Sequence, residues 1–384
     1  MNQDNKLDLG ELRREIDRID SALVSLFSER MQVSARVAEY KRRVGMAVTD
    51  ATREAELLDR VAALSPAQTA DYTRTLYTNI LSLSRAYQHM RLGNDSALSA
   101  EIDEARRHTP PLFPTHATVA CQGTAGAYSC KAAAKLFENP DIRHYPHFSD
   151  VFDAIERGEC RYGVLPIENS TAGSVTEIYD LMSRYRFFVV RAMRLGIDHC
   201  LLAAPNTRRE DICEIVSHKQ ALSQCAAFLS GNPHIKVTPM ENTAVAAAYA
   251  AKHPGVAAIA DRSCAELYGL SVVAEDIRDR ENNTTRFICI SKTLEIYGDA
   301  DKTSVILTIP HKPGALAKIL SRFDALHINL TKLESRPIPE RDFEFRFYFD
   351  LVAEAGTPVL LHILSELSGE SEEFRYLGTY TELL

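Results

Sequence analysis

The chain of 384 residues contains no tryptophan, and several other absences narrow what it can be. No run of about 18 apolar residues occurs, which excludes a membrane-spanning helix from the readings worth pursuing. The first residues, 1–6 (MNQDNK), lack the apolar core of a secretory signal, so a cytoplasmic location is expected. The eight cysteines are scattered, with no C-x-x-C pair among them. Neither a disulfide framework nor a zinc site is expected from that spacing. The histidines of the middle of the chain show no H-x-x-x-H pair, and no metal is expected. Excess positive charge is also missing: the formal net charge is -8. There is no global electrostatic reason to bind nucleic acid or an anionic membrane, and anionic ligands would have to be captured by local basic clusters.

What is present fits a multidomain globular protein. The length predicts two or three domains, and 45% apolar with 25% charged residues is ordinary for such chains. Leu9, Leu12, Ile16, Ile19, Leu23, Leu26, Val33 and Val37 recur at three- and four-residue spacing and predict a helix over 8–43. At 1.5 Å per residue it would be roughly 50 Å long, too long for a small lone domain to cover. A dimer of packed helices is therefore expected. A second helix follows Asp50, and a third covers about 69–90, making residues 1–92 an all-helical domain. Arg30 and Lys41 fall about 20° apart around the first helix and share a stripe, whereas Arg13 lies about 100° away, is not expected to serve the same pocket directly and could serve a partner's. Ser84 and Gln88 share a face at i, i+4.

Residues 93–117 are rich in turn residues and proline and read as a linker. From 118 to 292, short apolar strands alternate with helices, which predicts an α/β domain of two subdomains with largely parallel sheets and a cleft between them. One stretch stands out: 282–287 (NNTTRF), four uncharged hydrogen-bonding side chains followed by a cation and an aromatic, entering a buried strand. A loop of that kind can set a hydroxyl, an arginine and an apolar wall around one small acid. As a lone run it reads more readily as a plain turn. The last segment, 300–384, has the order βαββαβ, expected of a ferredoxin-like α+β sheet. It holds no acid/base or nucleophile cluster.

Three sets of motifs resemble known families. Residues 12–20 (LRREIDRID), Arg30, Lys41, 50–54 (DATRE) and 84–88 (SRAYQ) resemble an all-helical chorismate mutase domain. The resemblance implies that Arg13 (from the partner subunit), Arg30 and Arg53 grip the substrate's two carboxylates. It further implies that Lys41 and Gln88 bond the ether oxygen, that Glu54 and Asp50 hold the ring hydroxyl, and that Ser84 assists. Six motifs in order, 122–129 (QGTAGAYS), 166–174 (PIENSTAGS), 217–225 (SHKQALSQC), 241–247 (ENTAVAA), 264–270 (CAELYGL) and 283–287 (NTTRF), resemble prephenate dehydratase, whose fold is two-lobed and periplasmic-binding-protein-like. This implies Thr285 as the catalytic residue and Arg286 as the carboxylate anchor. Phe287 is the apolar wall, and Asn169, Ser170, Ser217 and Gln224 stand around the substrate. Glu168 could tune that network or merely cap a turn, and His218 adjoins Ser217. Residues 314–316 (GAL) and 334–337 (ESRP) resemble a phenylalanine-binding ACT domain, implying an effector site from Gly314, Ala315, Leu316, Asn329, Glu334, Ser335, Arg336 and Pro337.

The resemblances together imply a bifunctional enzyme of phenylalanine biosynthesis. It would turn chorismate into prephenate and prephenate into phenylpyruvate, without metal or organic cofactor, under inhibition by L-phenylalanine and as a homodimer or larger homo-oligomer. Two alternatives stay open on the sequence: arogenate in place of prephenate at the second site, and a non-catalytic small-molecule sensor.

Overall fold

The structure is a computed structural model that describes residues 8–46, 50–92, 96–280, 282–339, 341 and 344–384. The start of the expected linker (93–95), part of the break after the first helix (47–49) and the expected start of a strand at 343 lie outside the described residues. The chain divides into two compact units. One comprises Met1–Glu101, Lys312–His327 and Gly356–Ser371; the other comprises Ile102–His311, Ile328–Ala355 and Glu372–Leu384.

In chain order the elements begin with α1 (Leu9–Val44), α2 (Ala51–Leu64), α3 (Ala70–Leu92) and α4 (Ala97–His108). Helix α1 starts where Asp8 accepts the backbone N–H of Gly10 at 2.9 Å and ends on Gly45, which is left-handed at φ 71°. Asp50 caps α2 through the N–H of Arg53. Helix α3 packs against both α1 and α2. The apolar stripe of α1 is left open: Leu9, Leu12, Ile16, Ile19, Leu23, Leu26, Val33 and Val37 are each 40–63% exposed.

The next elements are β1 (Thr118–Gln122), α5 (Tyr128–Leu136), β2 (Asp141–Tyr145), α6 (Phe148–Glu156), β3 (Tyr162–Asn169), β4 (Gly173–Ser174), α7 (Thr176–Arg184) and β5 (Phe188–Gly196). The chain then builds β6 (Cys200–Ala203), β7 (Glu214–His218), α8 (Lys219–Ser223), α9 (Ala226–Ser230), β8 (Lys236–Met240), α10 (Thr243–Ala250), β9 (Val256–Ala260), α11 (Ser263–Tyr268) and β10 (Ser271–Ala274). It returns through β11 (Thr284–Ser291), and ends with β12 (Lys302–Ile309), α12 (Ala315–Ala325), β13 (Asn329–Pro337), β14 (Phe345–Val352), α13 (Pro358–Glu370) and β15 (Phe374–Leu383). Helix α13 lies against α3.

The strands form two sheets. The smaller has the order β10-β6-β9-β7-β8. Its central β9 reads Val-Ala-Ala-Ile-Ala, every residue buried, as a strand covered on both faces requires. The larger has the order β13-β14-β12-β15-β5-β11-β3-β1-β2, with β4 paired to β3. The expectation of largely parallel sheets is corrected here. β1 pairs in parallel with β2 and β3, but β11 is antiparallel to both β3 and β5. The physical reason is the route of the chain: β5 leads out to the second sheet and β11 leads back from it. Side by side, the two crossing strands must run in opposite senses. The N–H of Ile197 bonds the carbonyl of Asn283 at 2.8 Å and fastens them where they cross.

The large sheet also joins two segments that the sequence keeps apart. The first part of β15 pairs with β12, and its end, Thr381 to Leu383, pairs in parallel with Arg191 to Met193 of β5. The last four-stranded segment and the catalytic-motif strands thus share one hydrogen-bonded sheet. The change of partner falls between Tyr380 and Thr381, just after Gly378, which is at φ 127°. A Cβ there would stand 2.4 Å from the carbonyl oxygen of Val189, so only glycine lets the backbones approach this closely.

Candidate active sites

In the first unit, α1 and α3 meet through polar groups. The hydroxyls of Ser34 and Ser84 are 2.7 Å apart and buried. Gln88, one turn on, donates toward Ser84 Oγ at 3.5 Å, while its own Oε1 is buried without a hydrogen-bond partner. Arg30, one turn before Ser34 on α1, has a buried and unpartnered Nη1. Buried polar atoms are paired in nearly all native structures, so a donor on α1 and an acceptor on α3 left open among the described residues mark candidates for ligand contact. Glu54 is held by Arg85, whose Nη1 lies 2.8 and 2.6 Å from its two carboxylate oxygens.

The structure thus brings Arg30, Ser84 and Gln88 together, with Lys41 three turns along the same stripe of α1 and half-buried. Other expected members stand differently. Arg53 is exposed and reaches Glu56 at 3.4 Å, and the carboxylate of Asp50 is used as the cap of α2. Arg13 is exposed on α1. Ser34 and Arg85 were missed from the sequence, although Arg85 sits inside the SRAYQ motif.

In the second unit, the site grows from the strand pair β3–β11. Thr285 stands directly opposite Asn169 in register. Both hydrogens of the Asn169 amide are committed: one to Thr285 Oγ1 at 2.9 Å and one to Asn283 Oδ1 at 2.8 Å. Asn169 Oδ1 accepts from the N–H groups of Thr171 and Ala172, at 3.0 and 2.9 Å, and from the hydroxyl of Thr171 at 2.7 Å. That arrangement fixes the loop after β3. Ser170 bridges to the neighbouring strand: its hydroxyl donates to the carbonyl of Asn282 and accepts from the N–H of Thr284.

The network continues into the other subdomain. Gln224 Nε2 donates to Thr171 Oγ1 at 2.9 Å, and its Oε1 accepts from Asn283 Nδ2 at 3.0 Å and from His199 Nε2 at 2.9 Å. With Oε1 as acceptor, the His199 ring carries its proton on Nε2. Burial pulls the His199 pKa below its ordinary value and keeps the ring neutral. His199 joins this network although the sequence did not single it out; a lone histidine carries no spacing signal.

Thr285 is buried, and its oxygen accepts from Asn169. Its own proton is directed to no other described residue, so the hydroxyl can donate into the cleft. The adjoining cavity, about 320 Å³, is lined by Thr171, Ala172, Gln220, Ser223, Gln224, Arg278, Asp279, Arg280 and Asn283. This volume falls in the range of small-molecule sites.

Several sequence expectations are corrected by the geometry. Arg286 follows Thr285 in a strand, so its side chain takes the opposite face. There it is buried against Asp350 of β14, with Nη2 donating to Tyr380 at 2.8 Å and Nε 3.4 Å from Glu382. Burial opposes its charge, but Tyr380, Asp350 and Glu382 outweigh burial and raise its pKa. It is an ion-pair hub and not the anchor of a cleft ligand. Phe287 is 1% exposed and packs in the core with Val119, Tyr162 and Cys289. Ser217 is fully buried and donates to the carbonyl of Ile259 at 2.6 Å, so its hydroxyl is taken up by the small sheet. His218 accepts the N–H of Gln220 and caps α8. Glu168 receives Lys332 of β13 at 2.7 Å.

The effector motif on β13 is divided by strand alternation. Asn329, Ser335 and Pro337 lie on the exposed face. Glu334 and Arg336 turn the other way: Ser174 donates to Glu334 at 2.7 Å, and Arg336 pairs with Asp180 at 3.0 Å. In this structure these two side chains attach β13 to Ser174 and Asp180. Gly314 precedes α12 in the left-handed region, at φ 78°, with Ala315 and Leu316 opening the helix.

Comparison with known proteins agrees with this layout. Residues 12–89 match chorismate mutase type II, 119–295 match prephenate dehydratase and 303–369 match the ACT domain. A "Bifunctional chorismate mutase/prephenate dehydratase" of Escherichia coli (strain K12) is 31% identical over 379 residues, covering 96% of this chain and 95% of that protein. "Arogenate dehydratase 2" of Petunia hybrida is 36% identical over 280 residues, covering 68% and 71%. Among solved structures, a prephenate dehydratase in complex with L-Phe from Arthrobacter aurescens aligns with a TM-score of 0.62 at 29% identity, covering 69% of this chain and 90% of that one. A structure described as GqqA, a novel type of quorum quenching acylase, aligns with the same score and identity over 68% and 96%.

Proposed function

The chain belongs to the bifunctional chorismate mutase/prephenate dehydratase family, and from that premise we propose how its own residues carry the two reactions. It is an enzyme of phenylalanine biosynthesis with an ACT domain for feedback by L-phenylalanine. We assign the mutase to 1–92, the dehydratase to 118–292 and the sensor to 300–384, with 93–117 as linker.

At the helical site, chorismate rearranges to prephenate in one concerted step that needs no nucleophile, base or metal. The protein's contribution is to fold the side chain over the ring and to stabilise charge on the ether oxygen. The open Nη1 of Arg30 supports its reading as a carboxylate ligand, and the adjacent Gln88 and Lys41 support theirs as donors to the ether oxygen. Glu54, positioned by Arg85, holds the ring hydroxyl, and Ser84 sets the rotamer of Gln88. Arg13 completes the pocket of a second copy. The open apolar stripe of α1 is the surface that copy covers; sedimentation of the whole chain as a monomer at micromolar concentration would remove this assignment.

At the cleft, the electron pair of the bond from ring carbon to carboxylate moves into the ring as CO2 departs. The C–O bond of the ring hydroxyl breaks opposite it, its electron pair leaving on oxygen. Aromatisation drives the step, so the protein has to help the oxygen leave. The observation that carries this reading is the Asn169–Thr285 bond, which occupies the threonine oxygen as acceptor and leaves its O–H able to donate to a bound substrate. Prephenate is the substrate in this reading, and phenylpyruvate the product. A cytoplasmic location is part of this reading.

The deciding experiment follows chorismate absorbance and phenylpyruvate appearance in wild type and Thr285→Ala. The variant is expected to consume chorismate at the wild-type rate and to accumulate prephenate. Equal loss of both activities would refute the division into two sites, and turnover of neither substrate by folded wild type would favour a non-catalytic sensor.

A further inference from the structure

With Arg286 turned into a buried ion cluster, the cleft lacks the cation that the sequence had assigned to it, yet the substrate carries two carboxylates. Two arginines, Arg278 and Arg280, line the cavity beside Thr171, Gln224 and Asn283. Their surroundings differ. Arg278 is bound to Asp198, lies 3.8 Å from Asp276 and donates to the carbonyl of Ile197. Asp279, the one acid among the described lining residues, accepts from the N–H groups of Ala226 and Ala227 at 2.9 and 3.0 Å, so its charge is turned to the start of α9. Arg280 makes no hydrogen bond or ion pair with any described residue. Among the described residues of this lining it is therefore the positive charge that no acid compensates.

We propose that Arg280 anchors the side-chain carboxylate of the dehydratase substrate and thereby sets its preference for a keto-acid over an amino-acid side chain. The proposal rests on the dehydratase reading of this cleft. The choice between the two carboxylates follows from the chemistry. The ring carboxylate leaves as CO2, and its charge moves away in the transition state; a cation fixed on it would stabilise the ground state more than the transition state and slow the reaction. The side-chain carboxylate keeps its charge throughout, so a cation on it lowers KM without cost to kcat. The preference follows from the atom next to that carboxylate. In prephenate it is a neutral carbonyl, which can accept from a guanidinium or from the Gln220 and Gln224 amides that line the same cavity. In arogenate it is an ammonium group, which a guanidinium repels in a partly desolvated site.

The test uses the full chain with Arg280→Met and Arg280→Lys, assayed with prephenate and with arogenate, the mutase rate serving as a control for folding. A hydrogen-bonded ion contact of this kind predicts that Arg280→Met raises KM for prephenate by about 10- to 100-fold with little change in kcat. Arogenate should lose less, so that the ratio of the two kcat/KM values moves toward arogenate, and Arg280→Lys should restore part of the prephenate KM. Unchanged KM, or equal losses on both substrates, overturns the proposal. Calorimetric titration with phenylpyruvate gives a readout that needs no turnover: binding should weaken about tenfold in Arg280→Met, as expected for one lost charge-assisted bond. If wild type turns over neither substrate, the dehydratase reading fails. Weaker phenylpyruvate binding in Arg280→Met would then still support the anchor, and unchanged binding would reject it.

Discussion

Lys332 reaches Glu168 at 2.7 Å, and Glu168 is the residue immediately before Asn169, whose amide holds the hydroxyl of Thr285. Lys332 also donates to Ser174, which in turn donates to Glu334 of the effector motif. One ammonium group thus connects the strand that carries the expected effector motif to the strand that positions Thr285. Replacing Lys332 with Met should uncouple them. Uninhibited dehydratase rate is expected to stay near wild type, while the phenylalanine concentration for half inhibition rises by about 5- to 150-fold, the usual span of an allosteric coupling energy. Inhibition curves at several phenylalanine concentrations decide this; an unchanged midpoint would exclude Lys332 from the route.

Asn169 does more than touch Thr285, because its carbonyl also organises the Thr171–Ala172 turn. Asn169→Ala removes the donor that orients the threonine and frees the turn. Its dehydratase kcat should fall by about 10²- to 10³-fold, as when an oriented donor is lost from a polar site, with the mutase rate unaffected. A fall only in KM-controlled rates would show that Asn169 binds substrate and does not orient Thr285.

Glu382 gives a pH prediction with a definite sign. Burial alone would raise its pKa, but Arg286, Lys302 and Arg194 around it outweigh burial and hold it below the ordinary carboxylate value. A carboxyl depressed in the folded state contributes stability that is present above its unfolded pKa, near 4.3, and is lost as pH falls through the folded value. Glu382→Gln should therefore cost about 3 kcal/mol near pH 7, the range for breaking a buried ion pair. The gap in urea midpoint between variant and wild type should close as pH falls below about 4. A gap that stays constant from pH 7 to 3 would show that packing, and not charge, is what Glu382 supplies.

How much was legible in the sequence depended on the range of the interaction. Thr285, Asn169 and Gln224 sit in contiguous motifs, and the βαββαβ order of the end of the chain is observed as β12-α12-β13-β14-α13-β15. Side-chain facing was harder to read. Thr285 and Arg286 were read as one pocket because they are adjacent, whereas a strand sends them to opposite faces; the same alternation separated Ser335 from Glu334 and Arg336. β2, with the charged sequence Asp-Ile-Arg-His-Tyr at the edge of the sheet, lacks the apolar alternation that marks a strand. The join between β15 and β5 could not be read at all, because it pairs residues about 190 positions apart and rests on a single glycine's missing Cβ.

That join has a consequence for how this chain can be taken apart. A regulatory domain at the end of a polypeptide is commonly treated as a detachable cassette, removed to free an enzyme from its inhibitor or grafted onto another. Here the last paired residues, Thr381 to Leu383, lie on β5, whose other neighbour is the strand of Thr285. Cutting the chain before β15 would remove the strand that joins β12 to β5 and leave the backbone of β5 unpaired on that side, a ready template for aggregation. A deregulated enzyme is better sought by changing single side chains along Lys332, Ser174 and Glu334 than by shortening the gene.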